Sequence, residues 1–248
     1  MGIDAGLVTE WRRGRRAAGL VELAVCRRLR ALAAGVPADQ AIVELGAFKG
    51  RATGWLLLGA QEGHRAHVTS VDPWGLRKDG YSSMSPTYTA PATYAAFKGH
   101  LARIGATKDT HTVKRGYAAS VGAKWSGPPI GLLFHDADHS AEAVAADLAA
   151  WLPHLAEDAV VVLHDACDPN HGVQAGVEQV LDAGQWPERE LIRWNRRPHR
   201  RGALIVKRAV ADAGDGGGAV LAESDDDPDR GGLDPGADAP GPDVPGGQ

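Results

Sequence analysis

Several short stretches of this 248-residue chain join residue types that bind or move charge. Glu44 stands two residues before a Gly-x-x-x-Gly turn, Gly46-Ala47-Phe48-Lys49-Gly50. Asp72 closes the run Ser70-Val71-Asp72, and Gly116-Tyr117-Ala118 follows a basic pair, Lys114-Arg115. Asp136-Ala137-Asp138-His139 sets two carboxylates beside an imidazole, and His164-Asp165 repeats the pairing. An imidazole takes up a proton near neutral pH, as general-base chemistry requires. Two carboxylates brought side by side repel unless something positive lies between them, so Asp136 and Asp165 point to a cation or a shared substrate hydroxyl. Glycines four apart in a turn let a ligand reach the backbone. Helix capping is the competing use of Asp138 and Ser140.

The elements that must position these groups alternate. Val21, Val25, Leu29 and Leu32 fall on one helix face, ended by Gly35-Val36-Pro37. Short apolar runs at 41–45, 67–71, 111–114, 130–134 and 159–163 predict buried strands. Helices are expected over 53–61, 93–104, 140–152 and 173–183, with a closing pair of strands at 191–194 and 203–207. This pattern predicts an α/β fold: a Rossmann-like, doubly wound, seven-stranded and mostly parallel sheet, with helices on both faces and an antiparallel last strand. Ligands in such sheets sit at the carboxyl ends of the strands, where every residue named above falls. An acid closing the second strand suits ribose hydroxyls. A dinucleotide would place its pyrophosphate against Glu44, and the third glycine of its fingerprint is missing. A ligand with a ribose, a cationic group and no phosphate fits better, and S-adenosylmethionine (SAM) has these features.

VELGAFKGRAT (Val43–Thr53), SVDPW (Ser70–Trp74), FHDADHSAEAVAADLAAWLPHL (Phe134–Leu155) and VVVLHDA (Val160–Ala166) together resemble class I SAM-dependent methyltransferases. The likeness is greatest to the small-molecule and sugar O-methyltransferase branch that includes enzymes similar to macrocin and mycinamicin O-methyltransferases. It implies SAM held by Glu44, Gly46, Ala47, Phe48, Gly50, Asp72, Gly116, Tyr117 and Asp136. It implies a metal site at Asp136, His164 and Asp165, with His139, or else Asp138, as general base. Hard Mg²⁺ prefers oxygen, whereas the imidazole of His164 suits Mn, Fe, Ni or Zn, so the ion stays open between Mg and Mn or their like. The other role for His164 is substrate contact or a second base. Where the family often has Gly-Gly before the fifth strand, this chain has Glu157-Asp158.

The implied substrate is a small-molecule hydroxyl. The long stretch Trp74–Ala92, with Tyr81 and Tyr88, is expected to close over SAM and substrate, and Asp168–His171 to form a second rim. Basic clusters at Arg12–Arg16 and Arg196–Arg201 would serve an alternative nucleic-acid methyltransferase, but no nucleic-acid motif accompanies them. A catalytically silent SAM-binding module is the non-enzymatic alternative. Cys26 and Cys167 are the only cysteines, which excludes a disulfide framework. No apolar run is long enough for a membrane span, and the N-terminus has no secretory pattern, so a cytoplasmic protein is expected. A homodimer through the N-terminal helix is one expected assembly. Three segments follow: an N-terminal helical segment (1–39), the methyltransferase domain (40–208) and a tail (209–248). The tail carries ten acids against one base, with ten glycines and five prolines, and is expected to be disordered. The formal charge of −4 therefore conceals a mildly basic domain.

Overall fold

The computed structural model describes residues 19–75, 90–193 and 202–208. Both basic clusters, Tyr81, Tyr88 and the acidic tail lie outside the described residues. Met1–Ala211 forms one compact unit, and Asp212–Gln248, the second, falls wholly outside them. No helix among the described residues is long and apolar enough to cross a membrane.

Seven strands form one sheet: β1 (Ala41–Leu45), β2 (His67–Asp72), β3 (His111–Arg115), β4 (Ile130–His135), β5 (Leu155–His164), β6 (Glu188–Arg193) and β7 (Gly202–Lys207). Their order is β3-β2-β1-β4-β5-β7-β6. The first five pair in parallel, and β7 runs antiparallel to both β5 and β6. β1 and β4 are buried throughout, as strands covered on both faces must be. The helices are α1 (Leu23–Gly35), α2 (Arg51–Glu62), α3 (Ala90–Arg103), α4 (Ala118–Gly122), α5 (Ala141–Trp151) and α6 (Val173–Val180).

Alternation along the strands divides the core in two. Ile42, Val68, Leu132, Phe134, Val162 and Ile205 face the layer of α1, α2 and α3. Val43, Leu45, Val71, Leu133, Val161 and Leu163 face Val144, Leu148, Trp151 and Val177 on α5 and α6. This is the doubly wound sheet expected from the sequence. In α1, Val25, Cys26, Leu29 and Ala33 are buried. α1 crosses α2 closely because Gly59 has no side chain: a Cβ there would lie 2.1 Å from the Arg30 carbonyl. α1 is therefore built into the α2 side of the sheet.

Element boundaries differ from the sequence reading in explicable ways. α4, only five residues long and built of small residues, has no periodicity to detect. β6 starts at Glu188 rather than Leu191, because an edge strand tolerates charged side chains and Glu188, Arg189 and Glu190 are exposed. β5 begins at Leu155, ahead of the acids that replace the expected turn. Glu157 and Asp158 are taken up where the register with β4 jumps from Leu155 to Val160, and Gln40 donates to Asp158 Oδ1 at 3.0 Å.

Candidate active site

The end of β1 passes into α2 through a turn with Gly46 at φ 88° and Gly50 at φ 89°. Its close approach is to the protein's own backbone. A Cβ on Gly46 would sit 2.1 Å from the Asp136 carbonyl, so only glycine lets the β1 turn lie against the β4 end. Asp136 N–H donates to the Leu45 carbonyl at 2.8 Å and binds the two loops together. Phe48 is itself left-handed, at φ 48°. Asp72 holds that turn: its Oδ2 accepts the Phe48 N–H at 2.9 Å and its Oδ1 accepts the Trp74 N–H at 2.7 Å. The Trp74 indole donates back to the Phe48 carbonyl at 2.9 Å and packs on Tyr94 and Phe97. Burial raises the Asp72 pKa against these hydrogen bonds. Gly116 donates to the Asp72 carbonyl at 3.1 Å, and half-buried Tyr117 opens α4 beside it.

Glu44 is more deeply buried than the sequence reading expected. Its side chain, expected to contact SAM, is fully enclosed, 0% exposed, and its Oε1 has no hydrogen-bond partner among the described residues. Thr53 and Ser70 hydroxyls donate to its Oε2 at 2.6 and 2.7 Å, and Ser70 Oγ also meets His111 Nε2 at 2.9 Å. Burial pushes Glu44 up to about 7 and His111 down to about 4. This network braces the β1 turn from beneath. Ser70 stands opposite Glu44 in the β1–β2 register, the sequence-level clue to their pairing.

The β4 and β5 ends are built of charge. His139 lies between the two predicted carboxylates, its Nε2 3.4 Å from Asp136 Oδ1 and its Nδ1 3.8 Å from Asp165 Oδ2. His164 bridges the same pair from below, its Nδ1 3.0 Å from Asp136 Oδ1 and 3.5 Å from Asp165 Oδ1. Imidazoles thus occupy the space between acids that would otherwise repel. Burial alone would raise Asp136, but His164 and His139 hold it far below the usual carboxylate range. Burial would lower both histidines, but the facing carboxylates raise them, His164 strongly. His139 keeps 24% of its side chain exposed, whereas His164 keeps 1%. Asp165 adopts the left-handed region, φ 56°, rare outside glycine and recurrent at functional sites.

Asp138 is not directed like its neighbour. Its Oδ1 accepts the Ser140 N–H at 2.8 Å, and Ser140 caps α5 by accepting from Ala143 N–H. The capping use of this pair, weighed against catalysis in the sequence, describes what the geometry shows. Two residues with no part in the acid–imidazole cluster of the sequence reading join the site. His171 stacks on His139 with ring centroids 4.6 Å apart, its Nδ1 3.8 Å from Asp165 Oδ2, and Gly172 N–H donates to the His139 carbonyl. Glu22 reaches His164 Nε2 at 2.7 Å. His171 fell within the predicted rim, but Glu22 carried no signal, being 142 positions from its partner.

The family model described as "Methyltransferase domain" matches residues 43–166, from the middle of β1 to just past Asp165. The chain belongs to this methyltransferase family. Among solved structures, cofactor-bound Rv0187 from MTB is similar at 20% identity and TM-score 0.57, over 83% of this chain and 90% of that one. The O-methyltransferase from Bacillus cereus, in complex with SAH, is 14% identical with TM-score 0.58, over 82% and 89%. The O-methyltransferase TomG from Streptomyces achromogenes, involved in tomaymycin synthesis and in complex with SAM, is 18% identical with TM-score 0.55, over 83% and 90%. These likenesses establish the class I methyltransferase fold. No curated protein matches the sequence.

Proposed function

We propose that this methyltransferase moves the methyl group of SAM to a hydroxyl oxygen of a small molecule or sugar, with His139 as general base. One observation carries the reading. His139 is partly exposed between Asp136 and Asp165, and Asp136 is also the residue whose carbonyl the glycine turn touches. The proton-accepting group is therefore rigidly joined to the turn that the family uses for SAM.

SAM supplies an already activated methyl group, so the protein's task is alignment and deprotonation. The Gly46–Gly50 turn, Asp72 and the Gly116–Tyr117 segment are the groups that would hold it. The partly exposed Gly46 and Phe48 fit that use. An alcohol is a poor nucleophile while protonated, and His139 Nε2 or Nδ1 takes its proton. Asp136 and Asp165 stabilise the resulting imidazolium and fix the ring plane. Asp138, engaged at the α5 entry, serves the loop.

Asp136, His164 and Asp165 would hold a divalent metal, which supplies Lewis acidity that lowers the hydroxyl pKa. Their ligand atoms lie within 4.8 Å of one another. The donors also fit because Asp165 Oδ1 is buried with no hydrogen-bond partner among the described residues. A set containing imidazole favours Mn²⁺ or a later first-row ion over Mg²⁺.

The test incubates the purified protein with trideuteromethyl-SAM and a panel of glycosides and other hydroxylated natural products. Transfer of the labelled methyl to an acceptor oxygen, seen by mass spectrometry, is expected. Transfer only to nitrogen or carbon would contradict the hydroxyl reading, and activity unchanged by EDTA would remove the metal and leave the rest.

A further inference from the structure

Glu22 lies upstream of the family's matched region, at the residue before α1. Its carbonyl accepts the Cys26 N–H, so its backbone opens the helix, but its side chain makes no cap hydrogen bond. Glutamate is not among the favoured N-cap residues. The side chain turns inward instead and is 5% exposed. Its Oε2 meets His164 Nε2 at 2.7 Å, at the β5 end. The seat of α1 on α2, through Gly59, fixes where this carboxylate arrives.

We infer that Glu22 is a positioning residue for the metal group, fixing the ring orientation of His164 so that its Nδ1 is aimed between Asp136 and Asp165. This rests on the metal reading above. An imidazole whose Nε2–H is committed to a carboxylate presents the other nitrogen as a ligand, and such outer carboxylates orient metal-binding histidines generally. Nδ1 is the nitrogen that faces both acids, at 3.0 and 3.5 Å. Those separations suit ligands of one first-row ion, whose bonds are about 2.0–2.2 Å long. The N-terminal helical segment is thereby part of the site rather than an appendage.

The experiment titrates Mn²⁺ and Co²⁺ into the full chain by calorimetry, with S-adenosylhomocysteine affinity measured on the same samples. Glu22→Met keeps the side-chain length and removes the acceptor, whereas Glu22→Gln keeps an acceptor for Nε2–H. Glu22→Met is expected to weaken ion binding about 10–100-fold with S-adenosylhomocysteine affinity unchanged. Glu22→Gln should restore most of it, and Glu22→Met combined with His164→Ala should bind no more weakly than His164→Ala alone. Wild-type ion affinity in Glu22→Met overturns the inference and leaves the metal reading standing. Equal loss of both ligands marks a structural residue and also overturns it. If the wild type binds neither ion, the metal reading fails and the inference with it.

Discussion

Glu44 and Asp136 are carboxylates at adjacent strand ends, and the protein shifts them in opposite directions. Around Glu44 the partners are hydroxyls, and burial prevails: the acid rises to about 7 and nearby His111 falls to about 4. Around Asp136 the partners are imidazoles, and their charge overcomes burial. Burial alone thus fixes no protonation state; the charge of the nearest partners decides it. The β1–β2 end is a brace for a backbone turn: Asp72 accepts two N–H groups and Glu44 Oε2 accepts two hydroxyls, while Glu44 Oε1 has no hydrogen-bond partner among the described residues. The β4–β5 end is an alternation of acids and imidazoles, with polar atoms on Asp165 and His171 left without hydrogen-bond partners among the described residues. On the proposed function, the first holds a ligand and the second moves a proton or binds an ion.

Several substitutions would break or sharpen this contrast. The largest effect is expected from His139→Ala, which should lower the methylation rate about 10²–10⁴-fold. Asp138→Asn, which leaves the loop an oxygen acceptor, should change it far less; steady-state rates on one acceptor decide between them. Next comes the pH dependence of stability. Glu44 has a folded pKa raised from 4.5 to about 7, so its favourable contribution is complete below pH 4.5 and is lost as pH rises through about 7. Urea unfolding should show the wild type losing up to about 3 kcal/mol relative to Glu44→Gln between those limits. His111, lowered from 6.5 to about 4, acts in the other direction and loses its contribution as pH falls from 6.5 towards 4.

Gly46→Ala combines a left-handed backbone with a collision against the Asp136 carbonyl, and should cost at least about 2 kcal/mol. Thermal unfolding would register this as a fall of roughly 4–8 °C. The smallest effect is expected from Ser140→Ala, which removes the α5 cap and should cost about 1 kcal/mol with little change in SAM binding.

The sheet was legible in the sequence because β4 and the later part of β5 are near-continuous apolar runs and β1 is broken only by Glu44, the pattern expected of strands buried on both faces. Strand-end logic then found Asp72, Asp136, His139, His164 and Asp165, and the structure brings the last four together. What failed to show was pairing at a distance. An acid beside a glycine turn carries no sign of the Thr53 and Ser70 hydroxyls that meet Glu44. Glu22 looked like an ordinary charged residue before a helix. His135 in β4 and Asp147 on α5 form a buried pair at 3.0 Å that no local spacing announced. A strand's pattern is written in its own neighbours, whereas a polar partner is chosen by the fold.

The central claim is the division of labour between the two ends of the sheet, and calorimetric titration of S-adenosylhomocysteine tests it most directly. Wild type and His139→Ala are predicted to bind with the same affinity, and Asp72→Ala to lose binding. Failure of the wild type to bind, or loss in His139→Ala with retention in Asp72→Ala, would contradict the account.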